Sequence, residues 1–157
     1  MKKKRYILFV ILWMGFIFYM SHQPADISKA QSNKVIEVIK EINNKTSTNN
    51  SHKTNHTDKF INSFVVRKAA HMFLYAFLSI LIFISVYNGK NNLNSIKVSL
   101  GVCFLYACSD EFHQLFIKGR SAEFRDVLID FIGGIIGIFI ISVIYKLKNQ
   151  IRQRAKI

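Results

Sequence analysis

VSLGVCFLYACSDEFHQ, residues 98–114, decides the fold. Residues 98–107 run apolar or small, and Asp110-Glu111-Phe112-His113-Gln114 then interrupts them just before the run is long enough to cross a bilayer. An Asp near the centre of a transmembrane helix costs roughly 2.5–3.5 kcal/mol, and less towards the edge. Ionisable groups at such depth face protein or a wet cavity, and they need partners. The rest of the chain is therefore read for those partners.

Half of the 157 residues are apolar, only one is Pro, and the apolar residues lie in blocks. That is a membrane pattern within one domain, not the scattered pattern of a soluble core. The net charge of +13 would suit nucleic acid. However, no recognition module is readable, and the basic clusters flank apolar blocks, where they set topology. Nucleic acid is therefore not an expected partner; the lipid bilayer is. Cys103 and Cys108 do not share a helix face, and their spacing is neither a redox pair nor a zinc motif. They read as small buried residues.

Outward from the opening stretch, the expected architecture is all-α, a polytopic bundle of four transmembrane helices. Lys2, Lys3, Lys4 and Arg5 precede an apolar run, and no small-x-small cleavage site follows it, so the first helix is read as uncleaved, over about residues 6–22. Pro24 marks its exit. Residues 25–63 read as an extracytoplasmic loop. Val35, Ile36, Val38, Ile39 and Ile42 suggest a short amphipathic helix there, lying on the membrane surface. Residues 43–58, with His52 and His56, read as a disordered linker. The other helices are expected at about residues 66–87, 96–117 and 126–145, joined by a polar turn at 88–95 and by Lys118-Gly119-Arg120-Ser121.

Orientation follows from Lys and Arg at the ends. The N-terminal cluster, the 88–95 turn with Lys97, and the tail with Lys146, Lys148, Arg152, Arg154 and Lys156 share one side if there are four crossings. Both termini are then cytoplasmic, and the protein is a multi-pass protein of the cell membrane. Arg67, Lys68, Lys118, Arg120 and Arg125 break that rule on the outer side, which asks for pairing or anion binding.

Depth brings the polar residues together. At 1.5 Å per residue, Ser21, His71, Asp110 and Asp130 each lie roughly 21–24 Å from the cytoplasmic end of their helix. The hydrocarbon layer is about 30 Å thick. Spacing agrees: Lys68, His71 and Tyr75 stand at i, i+3 and i+7, Asp110 precedes His113 and Gln114 by three and four, and Asp126 and Asp130 are four apart. Gly133, Gly134 and Gly137 continue near the last of these faces and would let another helix come close. Arg67, Lys68, Arg120 and Arg125 can face Asp110, Glu111, Asp126 and Asp130, so pairing offsets the cost of burial. The expectation is one outward-facing polar cavity.

Ser21-x-Gln23, Arg67-Lys68-x-x-His71-x-x-x-Tyr75, Tyr106-Ala107-x-x-Asp110-Glu111-x-His113-Gln114, Gly119-Arg120 and Asp126-x-x-x-Asp130-x-x-Gly133 resemble, in order and spacing, the VanZ-like membrane protein family. The likeness covers all four expected helices. Lys118 departs from the Pro usual before Gly-Arg, and His22 from a common second Ser; both changes fall in loops. The resemblance implies a contribution to low-level resistance to teicoplanin-type glycopeptide antibiotics. It supplies no reaction.

The main functional expectation is a site that binds or modifies an anionic lipid or lipid-linked cell-wall precursor. Arg67, Lys68 and Arg120 would clamp its phosphate or carboxylate, with Ser21, Gln23, Tyr75, Gln114 and Asp130 as binding or orienting groups. The alternative is an intramembrane phosphoester hydrolase or transferase. His71 or His113 would be its base, oriented by Asp110 or Asp126, with Glu111 as a second acid or base. Asp110-x-x-His113 can present two metal ligands on one face, but paired histidines account for it, so neither metal nor cofactor is expected. A purely structural ion network is the bland alternative. A channel or transporter fits poorly, because the cytoplasmic half of the apolar blocks lacks polar residues.

Overall fold

The computed structural model describes residues 2–46, 63–89 and 92–154. Most of the expected linker (47–58, with His52 and His56), residues 90–91 of the expected turn, and Lys156 lie outside the described residues. Five helices make up the rest: α1 Lys2–Ser21, α2 Ala25–Thr46, α3 Ser63–Val86, α4 Asn92–Gln114 and α5 Phe124–Arg154. The all-α, membrane-type architecture expected from the apolar blocks is the one observed. Three helices are long and apolar enough to cross a membrane: α1 from Lys4 to Ser21, α3 and α5. α4 has the length, but Asn92, Asn94, Ser95, Lys97, Asp110 and Glu111 dilute its hydropathy.

α3 is the hub and packs against each of the other four helices. Its buried residues Leu74, Tyr75, Leu78, Ser79, Ile82 and Phe83 recur with the helical period and form one inward stripe. Ile17, Leu74, Tyr75, Leu78, Ile82, Cys103, Ala107 and Val127 join α1, α3, α4 and α5 in one apolar cluster. Phe83, Ile138 and Ile141 form a second, with Tyr87 and Tyr145 packed against it. On the outside Phe73, Leu105 and Phe139 are 66%, 69% and 69% exposed. Large apolar side chains facing outwards all round a bundle are what a lipid solvent calls for.

α3 and α5 lie close because two glycines permit it. A Cβ on Gly133 would collide with the Met72 carbonyl, and one on Gly137 with the Ala76 carbonyl and Ser79 Oγ. Small residues that let backbones meet are how helices pack without a hydrophobic drive between them. α1 is held by two polar ties. Trp13 Nε1 donates to the Leu74 carbonyl at 3.0 Å, and Tyr106 Oη donates to the Met14 carbonyl at 2.6 Å.

The boundaries differ from expectation in three places. α2 fills residues 25–46, so the expected short amphipathic helix is a long one that also takes in residues 43–46 of the expected linker. Ser28 and Ser32 are buried on it, while Ile27, Val35, Val38 and Ile42 are exposed. α4 starts at Asn92 and stops at Gln114 instead of running 96–117. Leu115, Phe116 and Ile117 take the tighter three-residue hydrogen bonds to Phe112, His113 and Gln114, and Gly119 reverses the chain at φ +76°. α5 continues past residue 145 through the basic tail to Arg154, where Lys, Leu, Gln and Arg favour helix and no Gly or Pro stops it.

Candidate functional site

Three helix ends and one loop build the site. The first turns of α3 carry Arg67, Lys68 and His71, the last turn of α4 carries Asp110, Glu111 and Gln114, and the first turns of α5 carry Asp126 and Asp130. The 115–123 loop brings Arg120. Its approach depends on Gly119, whose positive φ an L side chain adopts only with strain, and whose added Cβ would sit 3.2 Å from Ala25 Cβ. The loop is fastened to α2 by the Ala25 N–H donating to the Lys118 carbonyl at 3.3 Å.

These groups enclose a cavity of about 80 Å³, with Arg67, Lys68, His71, Glu111, Arg120 and Asp126 in its wall. Gln114 is its organiser. Its amide nitrogen donates to Asp110 Oδ2 at 3.2 Å and to Glu111 Oε1 at 3.1 Å, and its oxygen accepts from Arg120 Nη1 at 2.9 Å. Arg120 Nε donates to the Gln23 carbonyl at 3.0 Å, and Ser21 Oγ donates to Asp110 Oδ2 at 2.7 Å. The Lys68 ammonium pairs with Asp126. His71 Nδ1 lies 3.9 Å from Asp130 Oδ2.

The pairing expected from charge balance is met only in part. Among the described residues, Lys68–Asp126 is the one ion pair that forms between these bases and acids. Arg125 turns outward to Glu123 at 3.0 Å, on the exposed surface. Arg67 has no ion pair among the described residues; its guanidinium lies 5.9 Å from the centre of the Phe64 ring. Arg120 keeps a buried Nη2 with no hydrogen-bond partner among the described residues. Burial, and then the neighbouring Arg67 guanidinium, push the Arg120 pKa below its ordinary value, while Asp110, Glu111 and Asp126 push it up. An arginine nonetheless stays charged. Two guanidinium groups thus stand at one cavity without a carboxylate of their own among the described residues.

The other expected residues fall in different places. Tyr75 is wholly buried beneath the cavity, and its hydroxyl has no hydrogen-bond partner among the described residues. His113 is not in the cavity wall. Its Nε2 meets His22 Nδ1 at 3.1 Å, and its ring packs 4.4 Å from Phe18. The i, i+3 spacing from Asp110 did put it near that acid, but the helix turns it towards α1.

Sequence reasoning passed over Phe64 and Glu123, which line the cavity together with Gly119 and Ser121 of the connection it did single out. Glu123 had a signal: it directly precedes α5, where the helix begins with free N–H groups. Its backbone N–H donates to Glu111 Oε2 at 3.1 Å. His22 had one too, as a histidine three residues beyond Tyr19 at the end of an apolar run.

A family model described as VanZ/LLP1 matches residues 6–145, which takes in every residue of the cavity. No curated protein and no solved structure matches the chain.

Proposed function

The chain belongs to the VanZ/LLP1 family, and from that premise we propose that its cavity binds the anionic headgroup of a lipid or lipid-linked cell-envelope component, contributing to teicoplanin-type glycopeptide resistance. In this proposal the protein crosses the cell membrane four times, α4 included, with both termini cytoplasmic and the cavity facing outwards. The 23 residues of α4 span about 34 Å at 1.5 Å per residue, enough for a hydrocarbon layer of about 30 Å.

One observation carries the binding reading: the cavity mouth holds an arginine, Arg120, with a buried and unpartnered N–H group beside the unpaired Arg67. A buried donor left unsatisfied costs about 1–3 kcal/mol, and more when charged. A phosphate or carboxylate supplies the missing acceptor. Glycopeptides act outside the membrane, so site and phenotype fall on the same side.

The test is cellular and biochemical together. Arg120→Ala should lower teicoplanin resistance at unchanged protein abundance and should reduce anionic lipid retained by the purified protein. Arg120→Lys should rescue poorly, because an ammonium cannot reproduce the guanidinium fork. Unchanged resistance in both variants, with normal abundance, defeats the proposal.

A second reading is supported by the 3.9 Å approach of His71 to Asp130 at the cavity wall. An imidazole held beside a carboxylate is suited to general acid–base work on a bound phosphoester. Turnover that requires His71 while binding does not would favour it.

A further inference from the structure

Two residues of the cavity wall, His71 and Asp130, join buried Asp110 in a cluster beyond the two arginines. His71 of α3, Asp110 of α4 and Asp130 of α5 each bring one ligand-type atom to within 4.8 Å of the other two. Both carboxylates are buried, at 2% exposure. Among the described residues no Lys or Arg pairs with either. Lys68 is engaged by Asp126, and Arg120 by Gln114 and the Gln23 carbonyl. Asp110 Oδ2 is satisfied by Ser21 and Gln114, whereas Asp110 Oδ1 is buried with no hydrogen-bond partner among the described residues. Tyr75, one turn along α3 from His71, has an unpartnered hydroxyl within the electrostatic reach of Asp110 and Asp130.

Two buried carboxylates so close together need a positive charge between them. A single shared proton would settle the acids alone and leave the imidazole at 3.9 Å unengaged. A cation engages all three side chains and the free oxygen of Asp110. We propose that His71, Asp110 and Asp130 bind one divalent transition ion, Zn²⁺ or Mn²⁺, with water in its remaining positions. The donor set decides the class. Mg²⁺ and Ca²⁺ take oxygen ligands, while one imidazole with two carboxylates suits zinc or manganese. Bonds of about 2.0–2.2 Å bring ligand atoms to within roughly 3–4 Å of each other, so the cluster closes by well under a side-chain rotation. Each ligand comes from a different helix, so the ion also ties α3, α4 and α5 together where they meet.

The test uses the full-length protein in lipid nanodiscs, stripped with chelator and then equilibrated with Zn²⁺ or Mn²⁺ alone. Metal is counted by plasma mass spectrometry, and thermal unfolding is followed through the fluorescence of Trp13. One ion per chain and a raised melting temperature are expected for the wild type. His71→Ala and Asp130→Asn should weaken binding by more than the roughly 10–100-fold that loss of an outer hydrogen-bond partner costs. Their melting should not respond to metal. His113→Asn should keep the ion. Wild-type protein that stays metal-free, with melting unmoved by either ion, overturns the site even if a variant fails to fold. So does retention of the ion by both His71→Ala and Asp130→Asn. Loss of the ion in His113→Asn would move it to the His22–His113 pair and also overturn the site. Retention of anionic lipid is a separate measurement, so the two proposals fail separately.

Discussion

Ser21 and Asp110 are joined by a 2.7 Å hydrogen bond from hydroxyl to carboxylate, across 89 residues of sequence and between two buried side chains. It closes the end of α1 onto the last turn of α4. Within a membrane protein such bonds contribute about 0.5–2 kcal/mol, because the separated helices find other partners. Ser21→Ala leaves Asp110 Oδ2 with Gln114 alone. It should lower stability in micelles by about 1–2 kcal/mol, at the upper end because the acceptor is a carboxylate. Ser21→Thr, which keeps the hydroxyl, should recover most of that loss. Denaturant titration of the two variants checks both.

The glycines of α5 give a sharper contrast. Gly137→Ala must push α5 away from the Ala76 carbonyl, and Gly133→Ala from that of Met72. Backbone cannot move aside as a side-chain tip can. Each should cost about 1–3 kcal/mol, the range for overpacking. Gly101→Ala, with nothing within 4 Å of its Cβ, should be neutral or should stabilise by up to about 1 kcal/mol through helix propensity. Equal effects at the three positions would mean that α3 and α5 do not pack this closely.

Much of this was legible in the sequence because helical spacing and depth are both arithmetic. A rise of 1.5 Å per residue put Ser21, His71, Asp110 and Asp130 at a common level, and in the structure Ser21 bonds Asp110 while His71 and Asp130 share a cluster with it. Gly133 and Gly137 were readable as close-approach positions for the same reason. Partner choice was not legible. Charge counting paired Arg125 with the cavity acids, but at the start of α5 it lies beside Glu123, two residues back, in the open. The side of α4 that His113 takes depends on how α4 is rotated against α1, and spacing within α4 carries no information about that. Glu123 acts through its backbone N–H, signalled only by its place directly before α5, and its partner Glu111 was not readable from that.

Lys68 and Asp126 form a partly buried ion pair between α3 and α5. Removing one partner alone leaves an uncompensated charge, which costs about 3–5 kcal/mol when the site is fully buried. These side chains keep 14% and 17% exposure, so solvent screening should reduce the loss to about 1–3 kcal/mol. Lys68→Met and Asp126→Asn are each expected to destabilise, and Lys68→Met/Asp126→Asn by less than their sum. A strictly additive double-mutant cycle would show that the pair contributes no coupling.

The two histidines nearest the acids should separate in function. His71 sits in the cavity wall facing Asp130, whereas His113 packs tilted against Phe18 and meets His22 outside it. On stability His113→Asn should cost more, about 0.5–1.5 kcal/mol, since His113 hydrogen-bonds His22 and packs against Phe18, whereas His71 lies 3.9 Å from Asp130, beyond hydrogen-bond distance. On resistance they should differ. His113→Asn should keep teicoplanin susceptibility at the wild-type level once protein abundance is matched, because no cavity contact is lost. His71→Gln should raise susceptibility at matched abundance, because the wall and the Asp130 approach both change. Susceptibility assays with membrane immunoblots decide it. Loss of resistance in His113→Asn at normal abundance would place the working surface at the α1–α4 seam and not in the cavity.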